Sequence, residues 1–316
     1  MHIGTTEILD TFAEAFGARF TRLIITAADN YWLDAALHAI TGYGTSVIGC
    51  DAEVGVERRL PPEESPDGRP AAAVLLFAFT AEAVGKAAQH RVGQCILTCP
   101  STACFNGLFD TAESYSLGKY LRYFGDGFET KESRISHSAS RGIPAPGAVA
   151  SQPPLDTRTF WYIPVMDGEF RVEATAGVAK GVAGGNILPQ AANQTAGLAA
   201  VRRAAAAIAQ LPGVIASFPG GVCRSGSKVG SKYKALHAST ADAFCPTLRT
   251  EVESELVPGA TSAYEIVIDG VDQASVAKAM RAAIEAAAGD GIIAIGAGNY
   301  GGKLGKHPIR LQELFA

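Results

Sequence analysis

The order of apolar patterns along the chain repeats, and that repetition constrains the fold more than any single segment does. Arg22 to Ala27 reads as a short apolar strand, Asn30 to Ile40 as a helix with Trp32, Ala35, Ala36 and Ala39 on one face, and Thr45 to Cys50 as a second strand. Past the turn-rich stretch from Pro61 to Pro70 come an apolar run from Ala71 to Phe79, a helix from Ala81 to Val92 and a strand from Cys95 to Cys99. The second half repeats the order. Gly185 to Leu188 reads as a strand, Ala191 to Gln210 as an Ala-rich helix stopped by Leu-Pro-Gly, and Val214 to Phe218 as a strand. Ala263 to Asp269, Gln273 to Ala288 and Ile292 to Ile295 then give strand, helix and strand.

Each half thus spells βαβ twice, the split βαβ arrangement in which a four-stranded sheet carries both helices on one face. The expected fold is α+β, a duplicated ferredoxin-like sandwich with lobes over residues 1–158 and 159–316. Phe160–Val165 and Glu169–Glu173 flank Met166-Asp-Gly168, a hairpin signature, so the second lobe is expected to be entered through a β-hairpin. Residues 131–157, dominated by Ser, Pro, Gly and Ala, are expected to form a flexible surface insertion.

Composition removes several classes of function. The 27 Lys and Arg nearly balance 31 Asp and Glu, and no cluster of like charge suits a nucleic acid backbone. No run is long and apolar enough to span a membrane, and the amino end lacks the pattern of a signal peptide, so a cytoplasmic protein is expected. Six cysteines are too few for a disulfide scaffold, and Cys95, Cys99 and Cys104 do not have the paired spacing of a zinc site. They read as reduced thiols. The six histidines are scattered, and nothing local predicts a metal.

Glycines concentrate in loops after the strands, where backbone amides can approach a ligand closely. Gly181-Val-Ala-Gly-Gly-Asn186, Gly226-Ser-Lys-Val-Gly-Ser-Lys232 and Gly296-Ala-Gly-Asn-Tyr-Gly-Gly-Lys-Leu-Gly-Lys306 stand out. The last is not a nucleotide-hydrolysing phosphate loop: Ala297 replaces its first glycine and Leu304 its hydroxyl. Lys228, Lys232, Lys303 and Lys306 make two of these loops locally positive, suited to an anionic substrate tail, although solvated surface is the commoner fate of any one lysine.

Glu265 stands out on alternation alone. In Ala263-Tyr-Glu-Ile-Val-Ile268 it shares a strand face with Ala263 and Val267, so its carboxyl has apolar neighbours. Shielding there would raise its pKa and keep a proton available near neutrality, as general acid or base work requires. A solvent-facing glutamate on an open sheet face is the competing reading. Cys245 precedes Pro246 with no adjacent base, which favours packing over nucleophilic chemistry.

Eight collinear motifs carry a resemblance to a known family. They are Asp10-Thr-Phe-Ala-Glu-Ala-Phe16, Thr41-Gly-Tyr-Gly-Thr-Ser-Val47, Pro61-Pro-Glu-Glu-Ser-Pro-Asp-Gly-Arg-Pro70, Phe124-Gly-Asp-Gly127, Gly181–Asn186, Ser227–Lys232, Tyr264-Glu-Ile-Val-Ile-Asp-Gly270 and Gly298-Asn-Tyr-Gly-Gly-Lys-Leu-Gly305. Together they resemble formylmethanofuran:tetrahydromethanopterin formyltransferases of methanogenic archaea and methylotrophic bacteria. The resemblance implies two ferredoxin-like lobes assembled as a homotetramer, a dimer of dimers. It also implies transfer of a formyl group from the amine of methanofuran or methylofuran to N5 of tetrahydromethanopterin, both as substrates, with no metal and no tightly bound cofactor.

The resemblance carries the family's proposed catalytic carboxylate onto Glu265. Asn186, Ser227 and Asn299 are the expected oxyanion donors, and Lys228, Lys232 and Lys303 complete the expected substrate-binding set. Cys223-Arg224 stands where smaller residues are typical of the family, and residues 131–157 form a longer stretch than in archaeal members. Both features fit a bacterial version, whose relatives work with the hydrolase subunits of a formyltransferase/hydrolase complex. Two rivals to an enzyme are a non-catalytic scaffold subunit of such a complex and a pterin-binding carrier.

Overall fold

The computed structural model describes every residue except 43, 45–49 and 137–155. The chain forms two compact units, one built from Ala18–Gly44 and Asp51–Lys180, the other mainly from Met1–Gly17 and Gly181–Ala316. The change of unit falls at Gly17/Ala18 and Lys180/Gly181, inside the strands Phe12–Thr26 and Thr175–Ala191. The sequence pattern alone places the lobe boundary between residues 158 and 159.

In the first unit, Glu53–Leu60, Ala71–Ala78, residues 19–26 and Ala103–Asn106 lie side by side in that order, every neighbour antiparallel. In order of appearance along the chain this is fourth-first-third-second read from the other edge, the ferredoxin-like arrangement. Helices Asn30–Thr41 and Ala81–Arg91 cover one face. Leu33, Ala36, Leu37 and Ile40 form the helical stripe of spacing three and four, and they pack with Leu23, Ile25, Val74 and Leu76, which alternate along their strands. Asp29 and Thr80 cap the two helices by accepting the Trp32 and Ala83 N–H groups. On the sheet, Arg22 donates from Nε and Nη2 to both carboxylate oxygens of Glu57, at 2.6 and 2.8 Å, in a fully buried pair.

The hairpin at Met166-Asp167 forms as expected but does not lead out of this unit. Gly168–Glu173 runs parallel to Ala103–Asn106 and buries Phe170 and Val172 in the same core. Asp156–Val165 follows, then Thr130–Ser136 pairs with it. Residues 131–136 and 156–157 are therefore strand rather than irregular insertion. Lys131, Glu132, Ser133, Arg134 and Ser136 are themselves polar, and the Ser133 hydroxyl lies 3.0 Å from that of Thr159 across the pair, so no apolar alternation announces this strand. The rest of the expected insertion lies outside the described residues.

The second unit repeats the arrangement. Ile292–Gly296, residues 182–191, Ile266–Gly270 and Val214–Ile215 are antiparallel neighbours in that order. Helices Gln194–Ile208 and Gln273–Ala287 pack through Val201, Ala204, Ile208, Val276, Met280 and Ala283, and are capped by Asn193 and Asp272. Thr6–Ile8 adds a parallel strand beside Ile292–Gly296, and His307–Arg310 pairs with residues 12–15.

Two expected strands differ, and a third falls largely outside the described residues. Cys95–Cys99 is not a strand: Val92–Ile96 is a wide helical turn continuing Ala81–Arg91, and Ala103–Asn106 takes the fourth sheet position. Val92 and Ile96, one helical turn apart, are both buried in the core. Of the expected strand Thr45–Cys50, residues 45–49 lie outside the described residues, and Glu53–Leu60 forms the sheet edge. Ala263–Asp269 is broken in two around Tyr264 and Glu265. Among the described residues, no helix is long and apolar enough to cross a membrane.

Candidate active site around Glu265

The break in the Ser262–Gly270 segment centres on Glu265. Its N–H donates to the Cys223 carbonyl at 2.9 Å, and its own carbonyl accepts from the Cys223 N–H at 2.8 Å. Both backbone groups are thereby fixed. Tyr264, Ile266 and Ile268 are buried in the core of the second unit, so alternation turns Glu265 to the opposite face, as the sequence predicted. The side chain is half-buried, and burial pushes its carboxyl up to about 7. The cause is desolvation of the ionised form. A carboxyl with that pKa exists in both protonation states near neutral pH.

Tyr300 is the neighbour that sequence reading missed. Burial raises its phenol, and the charges of Glu265 and then Glu14 raise it further, while a hydrogen bond with Ser227 acts the other way. The loop motifs singled out in the sequence thus meet: Ser227, Glu265 and Tyr300 come from three separate segments. Tyr300 packs against Phe16 with ring centroids 6.1 Å apart and planes inclined at 57°.

The remaining expected residues separate by what they touch. Asn186 donates from Nδ2 to the Gly298 and Gly184 carbonyls, at 3.0 and 3.4 Å, and accepts the Gly298 N–H at 2.6 Å. Asn299 donates from Nδ2 to Thr11 Oγ1 and the Phe12 carbonyl, at 3.3 and 3.2 Å. Both amides are occupied in holding the chain to itself. Lys228 pairs with Asp242, and Lys232 and Lys303 are exposed. Cys245 meets only Ala241 O and Thr240 Oγ1, neither of them a base. Among the described residues, no group of three or more His, Cys, Asp or Glu side chains could hold a metal ion. A cavity of about 690 Å³ in the first unit, lined by Lys119, Arg122, Lys131 and the Arg158–Glu173 pair, contains none of the expected site residues.

A family model described as formylmethanofuran-tetrahydromethanopterin formyltransferase matches residues 1–144, and its companion for the proximal lobe matches residues 168–314. The chain belongs to the formylmethanofuran-tetrahydromethanopterin formyltransferase family. It is 48% identical over 320 residues to the formylmethanofuran–tetrahydromethanopterin formyltransferase of Methylococcus capsulatus, covering all of both chains. One subunit of the formyltransferase/hydrolase complex of Methylorubrum extorquens is 43% identical over 313 residues, with 98% of this chain and 95% of the relative covered.

Among solved structures, the formyltransferase of Methanosarcina barkeri superposes with a TM-score of 0.87 at 41% identity, covering all of both chains. The Methylorubrum extorquens complex, solved with methylofuran, gives a TM-score of 0.90 at 42% identity, covering 100% of this chain and 99% of that one. These matches agree with the duplicated ferredoxin-like fold. The proximal-lobe match of this formyltransferase-family chain contains Asn186, Ser227, Glu265 and Tyr300 together.

Proposed function

We propose that this chain transfers a formyl group between the amine of a methanofuran-type carrier and N5 of tetrahydromethanopterin, with Glu265 as the general acid and base. The observation that carries the reading is the half-buried Glu265, fixed at both backbone groups, with its carboxyl raised by burial to about 7. The pterin amine attacks the formamide carbon and an oxyanion develops on the formyl oxygen. The departing carrier amine is a poor leaving group until it is protonated, and protonated Glu265 supplies that proton. The resulting carboxylate then accepts the proton released from the attacking nitrogen, so the residue returns to its starting state. Asn186 and Asn299 engage their side-chain amides within the protein and Ser227 bonds with Tyr300, so each oxyanion donor of the expected set would exchange a bond it already makes for one to the formyl oxygen.

Both carriers act as substrates in this reading, and the exposed Lys232 and Lys303 suit an anionic carrier tail. The relative in Methylorubrum extorquens is a subunit of a formyltransferase/hydrolase complex, and an equivalent assembly around a homo-oligomer of this chain follows from the kinship. The deciding experiment measures formyl transfer by the isolated chain and by Glu265→Gln. The substitution should leave the fold intact and reduce turnover by about 100- to 10,000-fold. Near-normal turnover would remove Glu265 from the mechanism, and folded wild-type protein without activity would favour the scaffold role.

A further inference from the structure

The Asp10–Phe16 motif has no part in the chemistry described so far, yet it contains a buried carboxylate with an unusual set of partners. Phe12, Glu14 and Phe16 share one face of their strand, while Ala13 and Ala15 on the other face are fully buried. Glu14 is 1% exposed. Its Oε2 accepts the N–H groups of Tyr300 and Gly302 at 2.7 and 2.8 Å, and its Oε1 those of Leu304 and Gly305 at 2.5 and 2.6 Å. Burial by itself would raise this carboxyl, but the four backbone bonds outweigh it and hold the group below the usual carboxylate range. The loop is shaped for this contact. Gly302 sits at φ +73°, and a Cβ on Gly305 would stand 2.5 Å from the Ala15 carbonyl oxygen and 2.8 Å from Glu14 Cγ.

We propose that Glu14 is a positioning residue for formyl transfer: its carboxylate binds the turn at residues 300–305 and so sets Tyr300 against Ser227 and Glu265. A loop of three glycines and a lysine has little conformational preference of its own, and four charge-assisted bonds to one rigid strand replace it. Tyr300 is located by its own N–H and by the Phe16 ring, and on this proposal its ring limits water around Glu265. Among the described residues, the charges that raise Tyr300 are those of Glu265 and Glu14, while the Glu265 carboxyl is raised by burial. This inference rests on the reading of Glu265 as the acid, which Glu265→Gln tests separately.

The test is Glu14→Gln, which keeps the shape but turns one acceptor oxygen into an amide donor facing two N–H groups. Three quantities are measured: hydrogen exchange in the peptide containing residues 300–305, kcat and KM for transfer, and the pH profile of kcat/KM. Exchange should accelerate in that peptide, kcat should fall between roughly 10- and 100-fold, and the upper inflection should move about 1 pH unit towards acid as water reaches Glu265. Wild-type exchange overturns the clamp. Faster exchange with unchanged kcat and inflection overturns the positioning role and leaves a purely structural contact. Tyr300→Ala, which removes the ring, supplies an arm that does not depend on the folding of Glu14→Gln: it should lower kcat and move the same inflection, and wild-type behaviour would equally overturn the proposal. Near-normal activity in Glu265→Gln would instead sink the reading beneath it, whatever the Glu14 variants do.

Discussion

Asn186 and Gly298 exchange hydrogen bonds in both directions: the side-chain amide donates to the Gly298 carbonyl at 3.0 Å, and the side-chain oxygen accepts the Gly298 N–H at 2.6 Å. An asparagine thereby acts as a strand residue would, fastening the start of the Gly298–Gly305 loop to the centre of the sheet. Replacing Asn186 by Ala leaves both Gly298 groups without partners, at an expected cost of about 1–3 kcal/mol. Denaturant unfolding should show this loss together with reduced transfer. A variant of wild-type stability with reduced transfer would instead assign Asn186 to the oxyanion.

The pH dependence of transfer follows from Glu265. If Glu265 is the general acid it must be protonated, so kcat/KM in the direction that expels the furan amine should decline as pH rises through about 7, where burial places its carboxyl. Glu265→Gln should erase this limb from the profile. A profile flat from pH 5 to 9 in the wild-type enzyme would count against the assignment.

Stability should oppose activity at the same residue. The folded carboxyl lies near 7, above its ordinary value of 4.5, so its contribution is fully present below about 4.5 and is lost as pH rises through about 7. At pH 8 the buried charge costs at most about 3 kcal/mol by linkage. Glu265→Gln should therefore gain stability over the wild type at pH 8 compared with pH 5. Equal gains at both pH values would show that the folded site does not discriminate against the ionised form.

The buried Arg22–Glu57 pair makes a prediction about the first unit. Both side chains are almost inaccessible, and removing Glu57 takes away the carboxylate that grips the buried Arg22 guanidinium through two bonds. Glu57→Ala should destabilise by about 3–5 kcal/mol, whereas breaking the exposed Arg281–Glu285 pair should cost less than about 1 kcal/mol. Thermal or denaturant unfolding of the two variants gives the comparison directly.

If Lys228, Lys232 and Lys303 meet an anionic tail, replacing all three by Ala should raise KM for a tailed furan carrier and flatten its dependence on salt, with little change in kcat. A carrier truncated before its tail should lose that difference. Lys228 is the least informative alone, because Asp242 already pairs with it.

Much of this was legible in the chain itself. Apolar spacing located all four major helices, and simple alternation in Tyr264–Ile268 turned Glu265 away from the core. The same alternation marks Glu14 between Phe12 and Phe16, a signal of equal strength that the sequence reading left unused. Tyr300 was less accessible, because its pairing with Ser227 and Glu265 depends on how distant loops close. The Val92–Ile96 turn escaped because short apolar runs do not separate strand from helix, and the 130–136 strand because its own residues are polar but for Ile135. Asn186 and Asn299 were read as ligand donors from glycine-loop placement alone, and only coordinates reveal that their amide hydrogens are already engaged.

The amino-terminal seventeen residues group with Gly181–Ala316 and not with the segment that follows them. Gene fission at a single point near the middle of the chain would consequently separate Glu14 from the turn it holds and Thr6–Ile8 from its strand partner. The duplicated modules no longer correspond to two consecutive stretches of sequence, and complementation by halves would require the carboxyl-terminal fragment to recruit its own amino terminus from the other piece.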